Sequence, residues 1–546
     1  MESGGGATEG LTGERPAVRS RAARFRRVAL PLGSGVLLAA GTPPALSPLV
    51  PFLALVPLAV HLARLTAGAR GGADALAAGA LAGAVQHGWG LRWLPWTFAA
   101  VAGPLVGLAG SAAALAALAA ITGAAAWACH RLLVGRASVW LGLALPLAWT
   151  ALEWILAHLP LGLAFPWAPL GLGLTRWPEL LGIAELVGVG GVTAWLAAVN
   201  GLLAAAVLRA APGGGAHPGG SRWSTAVLAP AAVALLLALL PVAWGGWRAG
   251  RLDTSPTGTV AALALELPTG GPAPARAAAT PDAAARALAS VEQGRLHLVV
   301  LPEMALPLAP DSPEGTAAVG RLRVLAARVG APLLTGALRR GSEGVFNSVL
   351  LVSAEQSPDH PGAFVADKRR LVPGVERGSA VRAPWLAPAG SGGYAPGASW
   401  PVAAVGPLRG GVLVCYEVAF AGDVRRLILS GANLLIALTS DAWFAGGAGG
   451  RRAGIAQQLA HLSMRAVETR TGAVRASSGG PAALVGPDGA IEPEAAPGAA
   501  SGVVRAATRR TLFVRTGDLA GPLSTFLVLL ALAGGAHGRH PPVRGG

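Results

Sequence analysis

Gly410-Gly-Val-Leu-Val-Cys-Tyr-Glu417 is the stretch on which the reading of this chain turns. An apolar run ends on Cys415, one of two cysteines in 546 residues, at the point where a buried strand stops. A lone thiol at a strand's end is placed like a nucleophile, because a rigid sheet aims side chains from distant stretches at one point. Two upstream segments repeat the arrangement: Leu301-Pro-Glu303 follows the strand-like run His297 to Leu301, and Asp367-Lys368 follows Ala363 to Ala366.

Taken singly, each residue has a plainer role. Cysteine is often a small buried hydrophobe, Glu303 can cap the helix-like segment after it, and Lys368 can be a solvated charge beside Arg369 and Arg370. Together they supply what a thiol needs. Only a few per cent of a free thiol with a pKa of about 8.5 is thiolate at neutral pH, so a base and a cation nearby make it reactive. Cys129, beside His130 and Arg131 at the end of an apolar stretch, has no such company.

Glu303, Lys368 and Cys415, in that order and in those contexts, resemble the triad of the nitrilase superfamily. The stretch Lys368-Arg-Arg-Leu-Val-Pro-Gly-Val-Glu376 and the trio Cys415-Tyr416-Glu417 are similar to those of its membrane-embedded branch, the apolipoprotein N-acyltransferases. The resemblance implies Glu303 as base, Lys368 as oxyanion stabiliser and Cys415 as nucleophile. It also implies Glu376 and Glu417 as carboxylates that hold Lys368 and the substrate amine, with Tyr416 next to the site and Asn347-Ser348 in support. Thr439-Ser-Asp441-Ala-Trp443-Phe444 resembles an Asn-Asp-x-Trp-Phe stretch of the family, and Met464 to Glu468 its Arg-Ala-x-Glu helix, although Arg465 and Glu468 also suit a surface ion pair. Trp149 to Trp154, with Glu153, and Phe165-Pro-Trp167 match in order and spacing. Glu153 sits within an apolar stretch and suits either a lipid-access groove or a cap on a neighbouring helix.

There are departures. Ala264 to Pro268 lacks the family's Gln-x-Asn-type segment, Ser440 and Ala445 replace Asn and Gly, and Ala476 to Gly479 stands where an Asn-containing turn is usual. These leave the triad intact and bear on substrate positioning.

Composition points to a membrane independently of any motif. Charged residues are 13% of the chain, mean hydropathy is +0.54, and the first 250 residues repeat apolar runs of about 20 residues, enough to cross a hydrocarbon core. Spans are expected near 28–43, 45–64, 73–94, 98–129, 138–158, 181–208 and 224–246, with an eighth at 517–537. No cleavable leader is read, because Thr42-Pro-Pro follows the first run where a small-residue cleavage site belongs. Every second connection carries arginines, among them Arg64 and Arg70, Arg131 and Arg136, and Arg209 and Arg222. The N-terminus is therefore expected in the cytoplasm and residues 247–516 outside it.

The net charge of +16 is spread over loops and tails, which fits anionic lipid headgroups better than nucleic acid. With two cysteines on opposite sides of that topology, a disulfide is not expected. The Gly-rich stretch 213–220 reads as a linker.

Residues 257–510 change texture. Strand-like runs at 259–265, 297–301, 332–338, 345–352, 412–415 and 433–439 alternate with helix-like stretches at 281–294, 315–329, 418–430 and 453–471, the pattern of a layered α/β domain. The resemblance makes this an αββα sandwich. The expected organisation is a basic cytoplasmic tail (1–27), a membrane bundle (28–246), a nitrilase-like catalytic domain (247–516), a final span (517–537) and a short tail (538–546), in a bacterial inner membrane with the catalytic domain outside.

The implied activity takes an acyl chain from a phospholipid, through a Cys415 thioester, to the amino terminus of diacylglyceryl-cysteine on apolipoproteins. It needs no metal or cofactor, and the sequence carries no His/Cys ligand cluster or phosphate loop. A membrane-anchored amidase acting on a small amide, or a non-catalytic membrane protein with a decayed domain, are the other readings of the same residues.

Overall fold

The computed structural model describes residues 16–211, 225–268, 271–292, 296–355, 362–377, 393–444, 447–492 and 497–537. Much of the basic N-terminal tail, the stretch 213–220, Ala445 and the tail 538–546 lie outside them.

The first half of the chain is helical. Among the described residues four helices are long and apolar enough to cross a membrane: Pro104–Leu133, Ser138–His158 with its 3₁₀ first turn, Ala184–Ala210 and Val227–Ala249. Shorter apolar helices cover Arg27–Gly41, Val50–Ala63 and Ala520–Gly534. The run expected at 45–64 is two short helices, Val50–Leu53 and Val56–Ala63, and the run at 98–129 is divided at Gly103 into Leu94–Ala102 and Pro104–Leu133. Gly103 is in a conformation open to glycine, with φ 84°.

Small residues let these helices touch. Ala69–Gly90 lies so close to Pro104–Leu133 that a Cβ on Gly79 would come within 2.4 Å of the Ala126 methyl. The helix Ala184–Ala210 is broken at Gly188 (φ 67°, ψ −178°).

The second half builds a four-layer sandwich. Its strands are β1 (Thr254–Leu265), β2 (Leu298–Val300), β3 (Leu333–Gly341), β4 (Gly344–Val352), β5 (Ala363–Asp367), β6 (Val402–Val405), β7 (Leu408–Val414), β8 (Leu434–Ser440), β9 (Ala473–Ser478), β10 (Ala483–Val485) and β11 (Gly498–Ala507). The order β5-β4-β3-β2-β1-β9-β8-β7-β6 is continuous, with β10 on β9 and β11 on β1. At its middle only Ala264–Ser477 and Leu265–Ser478 pair β1 with β9, so the sheet folds there into two halves.

Side-chain alternation sets the layers. Ala261, Leu263 and Leu265 pack under the helices Ala273–Ala287 and Pro313–Val329. Their neighbours Val260, Ala262 and Ala264 face Val412, Val414, Ile436 and Leu438 of the other half. The far side of that half, Leu413, Leu435 and Ala437, is covered by Leu427 and Ile428 of Ala421–Leu429 and by Leu462 and Ala466 of Gly447–Thr469. Strands buried on both faces gain roughly 1.5–3 kcal/mol per large apolar side chain. The expected αββα order is the observed one.

Four strands went unread in the sequence, for physical reasons. β6 is a short edge strand, β10 has three residues, and β11 is built largely of Gly, Ala and Ser, which have little strand preference. β9 carries a fully buried Arg475, which breaks the apolar pattern. The helix expected at 281–294 runs instead over Ala273–Ala287, with Pro281 inside it where the sequence suggested a start.

Candidate active site

Three strand ends converge. β7 runs out at Val414, and Cys415 turns the chain with φ 51°, a left-handed value that only the surrounding structure holds in a non-glycine residue. Met304, directly after Glu303, has φ 53°. Lys368 follows the last residue of β5, its amide donating to the Asn347 carbonyl of β4 at 2.8 Å.

Lys368 is 1% exposed and Glu303 2%. The ammonium donates to Glu303 Oε1 at 2.9 Å and to Glu376 Oε1 at 2.7 Å. Burial works against this charge, but Glu303 and Glu376, with Cys415 beside them, hold the Lys368 pKa well above its ordinary value. Asn347 Nδ2 also donates to Glu303 Oε1, at 2.9 Å, leaving Glu303 Oε2 buried without a hydrogen-bond partner. One ammonium serves two carboxylates, so the cluster carries either a surplus negative charge or a proton. The Cys415 thiol is pushed up to about 12, by burial first and then by the Glu303 charge, with Lys368 opposing. It rests as a thiol in the cavity that Glu303 also lines.

These groups open onto a cavity of about 400 Å³, within the range of about 300–1,000 Å³ usual for small-molecule sites. Its remaining walls come mostly from the helical half, including Leu94, Phe98, Ala114, Leu118, Ile121 and Leu156. Thus the Cys415 thiol belongs to the sandwich and much of the apolar chamber in front of it to the bundle. Gln457 ties the two together: its Oε1 accepts from Trp93 and Trp167 (3.0 and 2.7 Å), and its Nε2 donates to the Gly90 carbonyl at 2.8 Å.

The supporting residues are placed as follows. Glu376 holds Lys368 and accepts from the Val372 amide at 2.9 Å. Glu417 does not hold Lys368: its oxygens accept backbone amides of Val414 (2.8 Å), Arg369 (2.9 Å) and Arg370 (3.3 Å). It fixes the turn of Cys415 against the chain leaving Lys368, a role that only the fold reveals. Burial raises its pKa, with Arg369 opposing. Tyr416 donates to the Ala164 carbonyl at 2.7 Å and stacks near Phe165 and Trp167. Trp443 lines the cavity while its carbonyl accepts from Thr97 at 2.6 Å. Ser348 donates to Asp367 at 2.5 Å.

Arg465 and Glu468 are not a surface pair: they are 1% and 0% exposed and 3.1 Å apart, and Glu468 accepts the Val189 amide at the Gly188 break. Glu153 accepts from Trp149, the Leu170 amide and Thr193, as a cap would, and it also lines a second cavity. Cys129 and Cys415 are both free. Among the described residues no group of His, Cys, Asp and Glu could hold a metal ion.

Residues 34–202 match the sequence model of the apolipoprotein N-acyltransferase N-terminal domain, and residues 259–511 that of the carbon-nitrogen hydrolases. An apolipoprotein N-acyltransferase of Chromobacterium violaceum is 30% identical over 432 residues, covering 75% of each chain. The chain belongs to the apolipoprotein N-acyltransferases. A further apolipoprotein N-acyltransferase, from Gloeobacter violaceus, is 28% identical over 95% of this chain and 96% of its own. Among solved structures, a CN-hydrolase superfamily protein of Xanthomonas campestris matches 45% of this chain and 90% of its own, at 18% identity and a TM-score of 0.34.

Against that family, the departures in sequence form a network of their own. Ser440 and Ser478 share a hydroxyl hydrogen bond of 3.0 Å at the ends of β8 and β9. Ser477 donates to Asp441 at 2.6 Å, and Asp441 holds the buried Arg475 at 2.6 and 2.8 Å. Sequence reading missed Arg475, Gln457 and Gln458. An arginine inside an otherwise apolar strand was the signal available for the first; two glutamines in a helix give none.

Proposed function

We propose that this protein N-acylates apolipoproteins, with Cys415 carrying the acyl chain between a phospholipid and the amino terminus of a diacylglyceryl-cysteine. The observation that carries the reading is the shared cavity, in which a thiol, a free carboxylate oxygen and a paired ammonium face apolar walls supplied by the bundle. A small hydrophilic amide would have no use for those walls. A lipid acyl chain would be desolvated by them.

In the first half-reaction the Cys415 proton passes to Glu303 and the sulfur attacks the sn-1 ester carbon. Lys368 stabilises the oxyanion. The tetrahedral intermediate collapses by breaking the ester C–O bond, and the leaving oxygen takes the proton from Glu303 as lysophospholipid departs. In the second, the amine attacks the thioester carbon, Glu303 accepts the amine proton, and the thiolate leaves and is reprotonated. An acceptor that arrives as an ammonium releases one further proton to solvent. With both carboxylates ionised, the state in which Glu303 can act as base, the cluster is net negative and favours that cationic acceptor.

The same reading puts the protein in the bacterial inner membrane, with about eight crossings, the basic connections in the cytoplasm and the sandwich outside, where both lipid substrates lie in one leaflet. The deciding test is intact mass of the detergent-purified protein after incubation with phospholipid. An acyl-sized, hydroxylamine-labile gain on wild type and not on Cys415→Ala supports the thioester. A folded wild type that gains nothing from any bilayer phospholipid ends the proposal and leaves amide hydrolysis or a silent site.

A further inference from the structure

We infer that Gln458 is a catalytic residue of this acyl transfer, its side-chain N–H serving as a hydrogen-bond donor to the Cys415 sulfur whenever that sulfur is negative. The inference rests on the reading of Cys415 as the nucleophile.

The helix Gly447–Thr469 brings Gln458 to the end of β7, where its Nε2 lies 3.2 Å from Cys415 Sγ. The direction of the amide is fixed by its other end. Oε1 accepts from the Arg475 guanidinium at 3.0 Å and, at 2.9 Å, from the Thr439 hydroxyl, which also lies within hydrogen-bonding reach of the Cys415 sulfur. A guanidinium can only donate, so the oxygen must face Arg475 and the NH₂ must face the sulfur. Arg475 is itself locked, by Asp441 and by the Pro481 carbonyl at 2.6 Å. Gln458 is 2% exposed, Arg475 1% and Asp441 0%. The donor therefore arrives oriented, with no rearrangement needed when charge develops.

The sulfur is negative twice in each cycle, when the thiol gives up its proton and when the second tetrahedral intermediate expels it. An N–H bond to a thiolate is stronger than one to a thiol or thioester, so this donor acts selectively at those two points. Lys368 is already hydrogen-bonded to two carboxylates, and a second donor at the sulfur leaves its charge for the carbonyl oxygen. No proton moves to or from Gln458 in either step. The adjacent Gln457 has the separate task described above, its oxygen occupied by Trp93 and Trp167.

The discriminating variant is Gln458→Glu. It keeps the shape and still accepts from Thr439 and Arg475, but presents an acceptor to the sulfur. A purely structural role would survive it. Full-length protein in detergent is treated with iodoacetamide at pH 8, and the rate of alkylation at Cys415 is read by peptide mass, an assay that needs no acyl donor. Loss of a hydrogen bond to a charged sulfur lowers this rate about tenfold or more. Thioester formation, and aminolysis of preformed thioester, fall in parallel. Gln458→Met, which has neither donor nor charge, gives a smaller fall in the same direction, and it decides the matter if Gln458→Glu does not fold. A folded Gln458→Glu that alkylates at the wild-type rate overturns the inference. If the variants slow alkylation while wild type never forms an acyl adduct, the donor role stands and the acyl-transfer reading falls.

Discussion

Two cavities meet at the Phe165 to Trp167 segment, and they use buried polarity in opposite ways. The one before Cys415 is apolar, except for a single cluster in which Lys368 is shared by Glu303 and Glu376. The other, about 430 Å³, shares Leu118, Leu156, Phe165 and Trp167 as a wall but is lined by Glu153, Arg465, His461 and Asp518. In the first, the partnerless carboxylate oxygen lies at the base. In the second, the buried charges join the sandwich to the bundle: Glu468, paired with Arg465, takes the Val189 amide, and His461 Nε2 lies 3.0 Å from the Trp167 carbonyl. The difference teaches that burial of a charge does not by itself mark chemistry. What distinguishes the first cavity is a thiol within the cluster, since His461 Nδ1 and Arg465 Nη1 in the second also lack hydrogen-bond partners.

The largest effect should come from the first cavity. Glu303→Gln, which keeps the shape and leaves Lys368 paired with Glu376, is expected to slow thioester formation by about 10³-fold, because it removes the proposed base. Single-turnover mass measurements check this. Near-normal acylation in a folded Glu303→Gln would remove the base from the comparison.

Next is the second cavity. Arg465→Met leaves Glu468 buried and unpaired and should destabilise by about 3–5 kcal/mol, seen as a lower unfolding midpoint in detergent. The fraction that remains folded should form thioester at the wild-type rate. If folded Arg465→Met cannot be acylated, the second cavity belongs to the reaction and the contrast fails.

A smaller and more selective effect is expected from Ala114→Phe, which fills the apolar chamber alone. It should lower acylation from long-chain phospholipid about tenfold and leave a short-chain donor nearly unchanged. Equal loss for both donors would show that the chamber does not hold the chain.

A last test changes no residue and sharpens the electrostatics. With the Cys415 thiol pushed up to about 12, its thiolate fraction below that pKa rises tenfold for each pH unit. Iodoacetamide labelling of Cys415 should therefore climb log-linearly from pH 7 to 10. A plateau near the ordinary thiol value of about 8.5 would mean that burial is not what governs this sulfur.

Much of the site was legible because its chemistry sits at strand ends with strong local signatures. Glu303 after Leu-Pro, Lys368 before Arg-Arg-Leu-Val-Pro and Cys415 after Gly-Gly-Val-Leu-Val are each set by a short segment. The double burial of β1, β7 and β8 was legible as well, since strands covered on both faces read as continuous apolar runs. Residues that act across long separations were not legible. Glu417 looks like a partner for Lys368 until its oxygens are seen to accept three backbone amides, and Gln458 is an ordinary helix residue until Arg475 fixes its amide.

By itself the sequence determined the apolar helical half, the layered domain after it, and the order of glutamate, lysine and cysteine, because hydrophobic period and short motifs are local properties of the chain. Tertiary structure alone decided that bundle side chains wall the cavity in front of Cys415, that Glu417 and Glu153 bind backbone amides, and that Arg465 and Glu468 are buried. Those outcomes depend on which surfaces meet. A buried polar group takes whichever donor or acceptor the packing brings to it, often from residues hundreds of positions away.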